Sequence, residues 1–306
     1  MRHASVQLNR LVVSTSFILM GIALFLPDLL NQLTIPILLL SVFIIGIPHG
    51  AIDHIMATEL YGLKNSLKDH LLFYASYLFI MLLIAVLWIY APIAGMTLFL
   101  LISIYHFGQA DMEDFLHSSA PNYLWYILRG ILIIGLIVFS DPTTTYPIIS
   151  EAIRMDLLTF EEFMPDASLS VLVILTLYTL FVMWGFLQSH FQQNLRFITD
   201  SALVAGLIVI TGPLIGFAIY FALWHSIGHV NEMKEFFESK RKSLSFFEFY
   251  KKATPFTLVS LLGLLMLYGI NQFLQLEGEF ITLMFILISV LTLPHLFIAD
   301  KMYREG

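Results

Sequence analysis

The chain has 306 residues, of which 58% are hydrophobic and only 12% charged, with a mean hydropathy of +0.85 and a net charge of −7. A soluble domain carries about 25% charged residues, so this composition excludes a soluble fold, a disordered chain and a coiled coil, and indicates a membrane protein. The absence of cysteine excludes disulfides, thiolate-held zinc, iron–sulfur clusters and thiol nucleophiles, leaving histidine or carboxylate to hold any metal.

A helix needs about 20 mainly apolar residues to cross hydrocarbon. Ten candidate blocks occur, at 11–27, 32–47, 71–90, 92–108, 123–139, 169–187, 198–212, 213–230, 256–273 and 280–298. The first follows two arginines but lacks the small-residue cleavage site of a secretory signal. The 33 residues from Ile198 to Val230 would make one helix about 50 Å long against a core of about 30 Å, so they must bend or split. Charge decides between the two. If the run splits at Gly212-Pro213 and the N-terminus is inside, Arg10, Lys64, Lys68, Arg196, the lysines of 234–252 and Lys301 all fall on the inner side, with only Arg154 in an outer loop. Unsplit, the lysine-rich loop would fall outside. The expectation is therefore an all-α bundle of about ten membrane helices, forming one catalytic domain over residues 1–306, with both termini cytoplasmic and Gly212-Pro213 as a tight hairpin.

The outer loop from Ser140 to Ser168 is acidic and spaced like an amphipathic surface segment. The lysines of 231–255 set topology and meet anionic lipid. Arg129 lies six residues inside the fifth block, close enough to the inner surface to snorkel. His3, His70, His117 and His190 sit in polar flanks as solvated or capping side chains, and the net negative charge argues against a nucleic-acid partner.

The other six histidines fall in four phrases: Pro48-His49-Gly50-Ala51-Ile52-Asp53-His54, Tyr105-His106-Phe107-Gly108-Gln109-Ala110-Asp111, Trp224-His225-Ser226-Ile227-Gly228-His229, and Pro294-His295 with Asp300. Each closes an even-numbered block, and helices of equal parity run the same way. All six imidazoles therefore reach the inner face, where costly intramembrane ionisable groups point to function. His225 and His229 are spaced i, i+4 on one helix face; with His49 and His106 they make a set of four imidazoles. Such ligands suit Zn, Cu, Fe or Ni. Asp53, Asp111 and Asp300 follow phrase histidines by four or five residues and are candidates to accept the second ring N–H of a ligand, as is common at metal sites. His54 and His295 are surplus and are expected to line the pocket. Tyr105, Phe107 and Trp224 flank the proposed ligands, where aromatic rings serve as membrane-interface belt residues or, beside a metal, wall an apolar pocket.

No Lys lies in any block to form a retinal Schiff base, and no P-loop, GxSxG or HExxH motif occurs. A histidine-ligated heme protein and a metal carrier are the alternatives.

Gly46-Ile47-Pro48-His49-Gly50-Ala51-Ile52-Asp53-His54, His106-Phe107-Gly108 with Asp111, Trp224-His225-Ser226 with His229, and Leu293-Pro294-His295 with Asp300 together resemble the Brp/Blh family of bacterial and archaeal membrane β-carotene 15,15′-dioxygenases, in order and over nearly the full chain. The resemblance implies cleavage of the central double bond of β-carotene by O2 to two retinals, with Fe(II) held by His49, His106, His225 and His229. It further implies a multi-pass protein of the plasma membrane, a carotenoid drawn from the bilayer, and a rhodopsin as a receiver of retinal. Ser226-Ile227-Gly228 stands where some relatives would carry a basic residue, which bears on a local polar contact and not on the ligands.

Overall fold

The computed structural model describes residues 6–64, 66–117, 122–242, 244–273 and 279–305; Arg2 and His3 lie outside them. Among the described residues the chain is helical, apart from one isolated bridge between Leu116 and Phe191. In chain order the helices are α1 (Val6–Phe25), α2 (Pro27–Leu40), the π-helical stretch π1 (Ser41–Gly46), α3 (Ile47–Gly50), α4 (Asp53–Leu60), α5 (Leu67–Tyr90), α6 (Pro92–Met112), α7 (Asn122–Phe139), α8 (Pro142–Ala152) and α9 (Leu157–Phe163). They continue with α10 (Ala167–Leu187), α11 (Asn194–Thr211), α12 (Pro213–Ile219), a second π stretch π2 (Tyr220–Ser226), α13 (Ile227–Ser239), α14 (Phe246–Phe273) and α15 (Phe280–Glu305). Among the described residues nine helical runs are long and apolar enough to cross a membrane, with Pro27–Leu60 and Pro213–Ser239 each counted as one run. The first expected block corresponds to α1, whose apolar stretch Arg10–Phe25 is shorter. The second belongs to a longer helical run, Pro27–Leu60, that continues through His49 and His54. The acidic loop holds α8 and α9.

Local chemistry explains where helices begin. α2, α6, α8 and α12 open on proline, whose fixed φ and missing N–H suit a first turn. The Ser66 and Asp166 side chains cap α5 and α10 by accepting from the backbone N–H of Asp69 and Leu169. At the expected hairpin α11 ends at Thr211, Gly212 takes φ +81°, and Pro213 starts α12. A side chain there would strain the backbone, so glycine makes this turn possible.

The chain divides into two compact units. Unit 1 comprises Met1–Val42, Ser103–Pro147 and Leu158–Gly228; unit 2 comprises Phe43–Ile102, Ile148–Leu157 and His229–Gly306. Within unit 1, α7 packs on α10, α11 and α12, and α1 packs on α11 and α2. The backbones of α6 and α7 approach closely at two glycines. A Cβ on Gly108 would overlap the carbonyl oxygen of Tyr126, and one on Gly130 that of Ile104. Small residues are what allow backbones to touch where lipid offers no hydrophobic drive. Within unit 2, α15 packs on α3, α4, α5 and α14, and the Trp88 indole donates to Ser289 Oγ at 2.8 Å to tie α5 to α15. Ile52, Met56, Met233, Phe249 and Met302 share its buried apolar cluster.

Gly130→Ala should lower the thermal midpoint and folded yield, because a methyl forced against backbone costs about 1–3 kcal/mol or more. Gly263→Ala on α14, whose added methyl meets nothing within 4 Å, should leave both unchanged or slightly raised; thermal melts of the two variants in detergent check the contrast.

Candidate metal centre

In unit 2, π1 delivers the chain into His49. Pro48 lacks an N–H, which orphans a carbonyl one turn earlier, and the Tyr250 hydroxyl donates to the Ile44 carbonyl oxygen at 3.2 Å. Water is absent from hydrocarbon, so such replacements are obligatory. His49, His229 and His295 are all buried. Their rings gather with centroids 5.9 Å apart for His49 and His229, 4.9 Å for His49 and His295, and 5.1 Å for His229 and His295.

In each ring of this group, Nδ1 has a partner on the protein. His49 Nδ1 meets the Gly46 carbonyl oxygen. His295 Nδ1 lies 2.9 and 3.0 Å from the two oxygens of Asp53, which also accepts from the Tyr77 hydroxyl at 2.9 Å. His229 Nδ1 faces the Tyr303 hydroxyl at 3.4 Å and Glu232 at 3.5 Å, and Tyr303 donates to Glu232 at 2.6 Å. Acceptors at Nδ1 put the proton there and the lone pair on Nε2, the tautomer in which protein imidazoles bind metals.

In unit 1, His106 on α6 and His225 on π2 are likewise buried. Their ring centroids lie 4.7 Å apart, nearly edge to face. Phe107 comes within 4.7 Å of His225, and Phe221 stacks parallel on it at 5.8 Å, so the pair sits in aromatic walls. Of the sequence candidates, then, His106 joins His225, and His49 joins His229 together with His295, which was expected only to line the pocket.

Other candidates have different surroundings. His54 packs on Phe256 at 4.5 Å with Nδ1 near the Ala51 carbonyl oxygen. Asp300 pairs with Arg304 one turn along α15, at 2.8 Å. Tyr105 lies against Tyr123 and Tyr126. His190, expected in a polar flank, packs between Trp125 and Trp184 and accepts from the Trp125 indole at 3.3 Å.

Arg129 does not snorkel. It is 1% exposed and forms the centre of a polar cluster in unit 1. Its Nε and Nη2 donate to Asp111 Oδ2 at 2.9 Å, Nη2 to Asp200 Oδ2 at 2.6 Å and Nη1 to Ser201 Oγ at 2.9 Å. Asp111 Oδ1 accepts from the Tyr220 hydroxyl at 3.0 Å, and Asp200 Oδ1 from the Trp224 indole at 2.8 Å. Burying an unpaired guanidinium would cost roughly several kcal/mol, and the two carboxylates offset that cost. Sequence reasoning paired Asp111 with a histidine and overlooked Asp200; the signal was an arginine in an apolar block that needed an acidic partner on another one.

Asp200 and Trp224 also border a cavity of about 690 Å³ in unit 1, walled by apolar residues of α1 and α11 that include Phe17, Met20, Leu203 and Gly206. This volume falls in the range of small-molecule sites.

Among curated proteins and among solved structures nothing matches the chain. The family model for beta-carotene 15,15′-dioxygenase matches residues 40–303, a span that contains every buried histidine described above. This multi-pass helical chain, matched over most of its length, thus belongs to the β-carotene 15,15′-dioxygenase family.

Proposed function

We propose that the protein cleaves the central double bond of β-carotene with O2 to give two retinals, that residues 1–306 act as a single catalytic domain, and that its Fe(II) ligands are His49, His106, His225 and His229. The observation that carries this reading is the family match over residues 40–303. Two features of the chain support the ligand set. His106 and His225 are paired in unit 1, and His49 and His229 are grouped in unit 2. His225 and His229 lie one helical turn apart in sequence. The donor set fits the metal: the imidazoles of unit 2 present Nε2 while Nδ1 is engaged, and nitrogen ligands suit iron. Bound there, iron would supply the redox chemistry with O2.

The chain's own residues would do the rest. Asp53, with Tyr77 behind it, orients His295 beside His49 and His229, and the phenylalanines around His225 exclude water. The cavity in unit 1 would take part of the polyene drawn from the bilayer, and the ring faces of Trp224 and Tyr105 would steady positive charge developing on it. Residence in the plasma membrane and delivery of retinal to a rhodopsin belong to the same proposal.

In β-carotene-producing cells, expression should bleach the colour and yield retinal. His49→Ala, His106→Ala, His225→Ala and His229→Ala should each abolish iron binding and retinal formation, measured as iron per chain and by chromatography of retinoids. A variant among these four that kept full iron would transfer its place in the ligand set to His295. A Soret band on the purified protein would favour the heme alternative, and metal uptake into vesicles without retinal formation the carrier. An added Cβ at Gly206 meets only Met20 Sδ, at 3.7 Å, so Gly206→Phe should fill the cavity and raise KM for β-carotene several-fold with iron content unchanged; an unaltered KM would remove the cavity from the substrate path.

A further inference from the structure

The two π-helical stretches differ in what sustains them. A π turn holds one more residue per hydrogen-bonded ring than an α turn, is intrinsically rare, and concentrates at functional sites. π1 has a local cause, since Pro48 follows two residues after it and denies the α-helical ladder a donor. π2 has no such cause. No proline occurs between Leu214 and Ser239, and Tyr220–Ser226 runs without interruption into α13. The over-wide turn must be held from outside its own backbone.

The hold is the Arg129 cluster. Asp111 and Asp200 each turn one oxygen to Arg129 and the other to π2: Asp111 to the Tyr220 hydroxyl, Asp200 to the Trp224 indole. The two attachment points are four residues apart, the first opens the stretch, and the second immediately precedes His225. Asp111 sits on α6 five residues after His106, so one carboxylate links the helix of His106 to the turn that carries His225. On the far side Ser201 and Tyr178 complete the guanidinium, at 2.9 and 3.5 Å from Nη1. The planar fork can serve two carboxylates at once, which a lysine ammonium cannot do with the same direction. Buried ion clusters are poor sources of net stability. What this one adds is a fixed orientation.

We propose that Arg129 is a positioning residue for the metal ligands: through Asp111 and Asp200 it holds the π turn Tyr220–Ser226 at Tyr220 and Trp224, and so sets the His225 imidazole against that of His106. The inference rests on the reading of His106 and His225 as ligands. Arg129, Asp111 and Asp200 act at one remove from the metal, by aiming the ring that touches it.

The test uses the full chain, purified in detergent, stripped of metal and titrated with Co(II), whose visible spectrum reports ligand geometry. Tyr220→Phe deletes one hydroxyl and keeps the ring; Arg129→Lys keeps the charge and loses the fork. Each should weaken Co(II) affinity about 10 to 100-fold, the usual consequence of removing an outer partner, and should alter the visible spectrum of the bound fraction. In the iron-loaded enzyme kcat should fall while KM for β-carotene holds. A purely structural role would lower the thermal midpoint and leave the affinity and spectrum of the folded fraction as in the wild type, and that result would overturn the proposal. Should Arg129→Lys fail to fold, Tyr220→Phe decides the matter by the same readouts. Absence of Co(II) binding by the wild type would instead overturn the ligand reading, and this inference with it.

Discussion

A polar group in hydrocarbon must find its partner inside the protein, because no water is there to supply one. That constraint organises this molecule. It gives the Ile44 carbonyl a tyrosine hydroxyl where Pro48 withholds an N–H. It gives His49, His229 and His295 a partner for Nδ1, and in doing so selects the tautomer that leaves Nε2 basic. It surrounds Arg129 with two carboxylates, a serine and a tyrosine. In each case satisfying a buried group also fixes the direction of a side chain, so the requirements of membrane solvation and of a preorganised site coincide.

Backbone contact is the second organising element. With apolar lipid outside and apolar side chains inside, burial alone discriminates little between arrangements of helices. The mutual approach at Gly108 and Gly130 does discriminate. It places α7 against the segment of α6 that carries His106 and Asp111, which is what lets Arg129 reach Asp111 from the neighbouring helix.

Much of this was legible in the chain. Block lengths and the distribution of lysine and arginine were enough to divide Ile198–Val230 at Gly212-Pro213, where the structure has its hairpin. The histidine phrases could be recognised because an imidazole in an apolar block is conspicuous against its neighbours, and the buried histidines His49, His106, His225, His229 and His295 all come from them. The π turns were not legible. They add a residue to a helix without changing its apolar character, and in π2 the cause lies on other helices. Nor were the partners of the polar groups. Arg129 meets Asp200 across 71 residues and His295 meets Asp53 across 242, and no local pattern encodes such pairings. Arg129 itself was visible but assigned to the surface, since depth along a helix does not say whether lipid headgroups or an acidic neighbour receives the charge.

The turn at Tyr220–Ser226 is wide enough to take in one more residue than ordinary winding holds. Deleting an amino acid between Tyr220 and Trp224 would close it and bring these two anchored side chains one position nearer in the chain. Tyr220 and its carboxylate would then no longer agree with the heading of His225 and His229. Within Tyr220–Ser226 a change in the number of residues should therefore cost more than the exchange of one apolar side chain for another of like size.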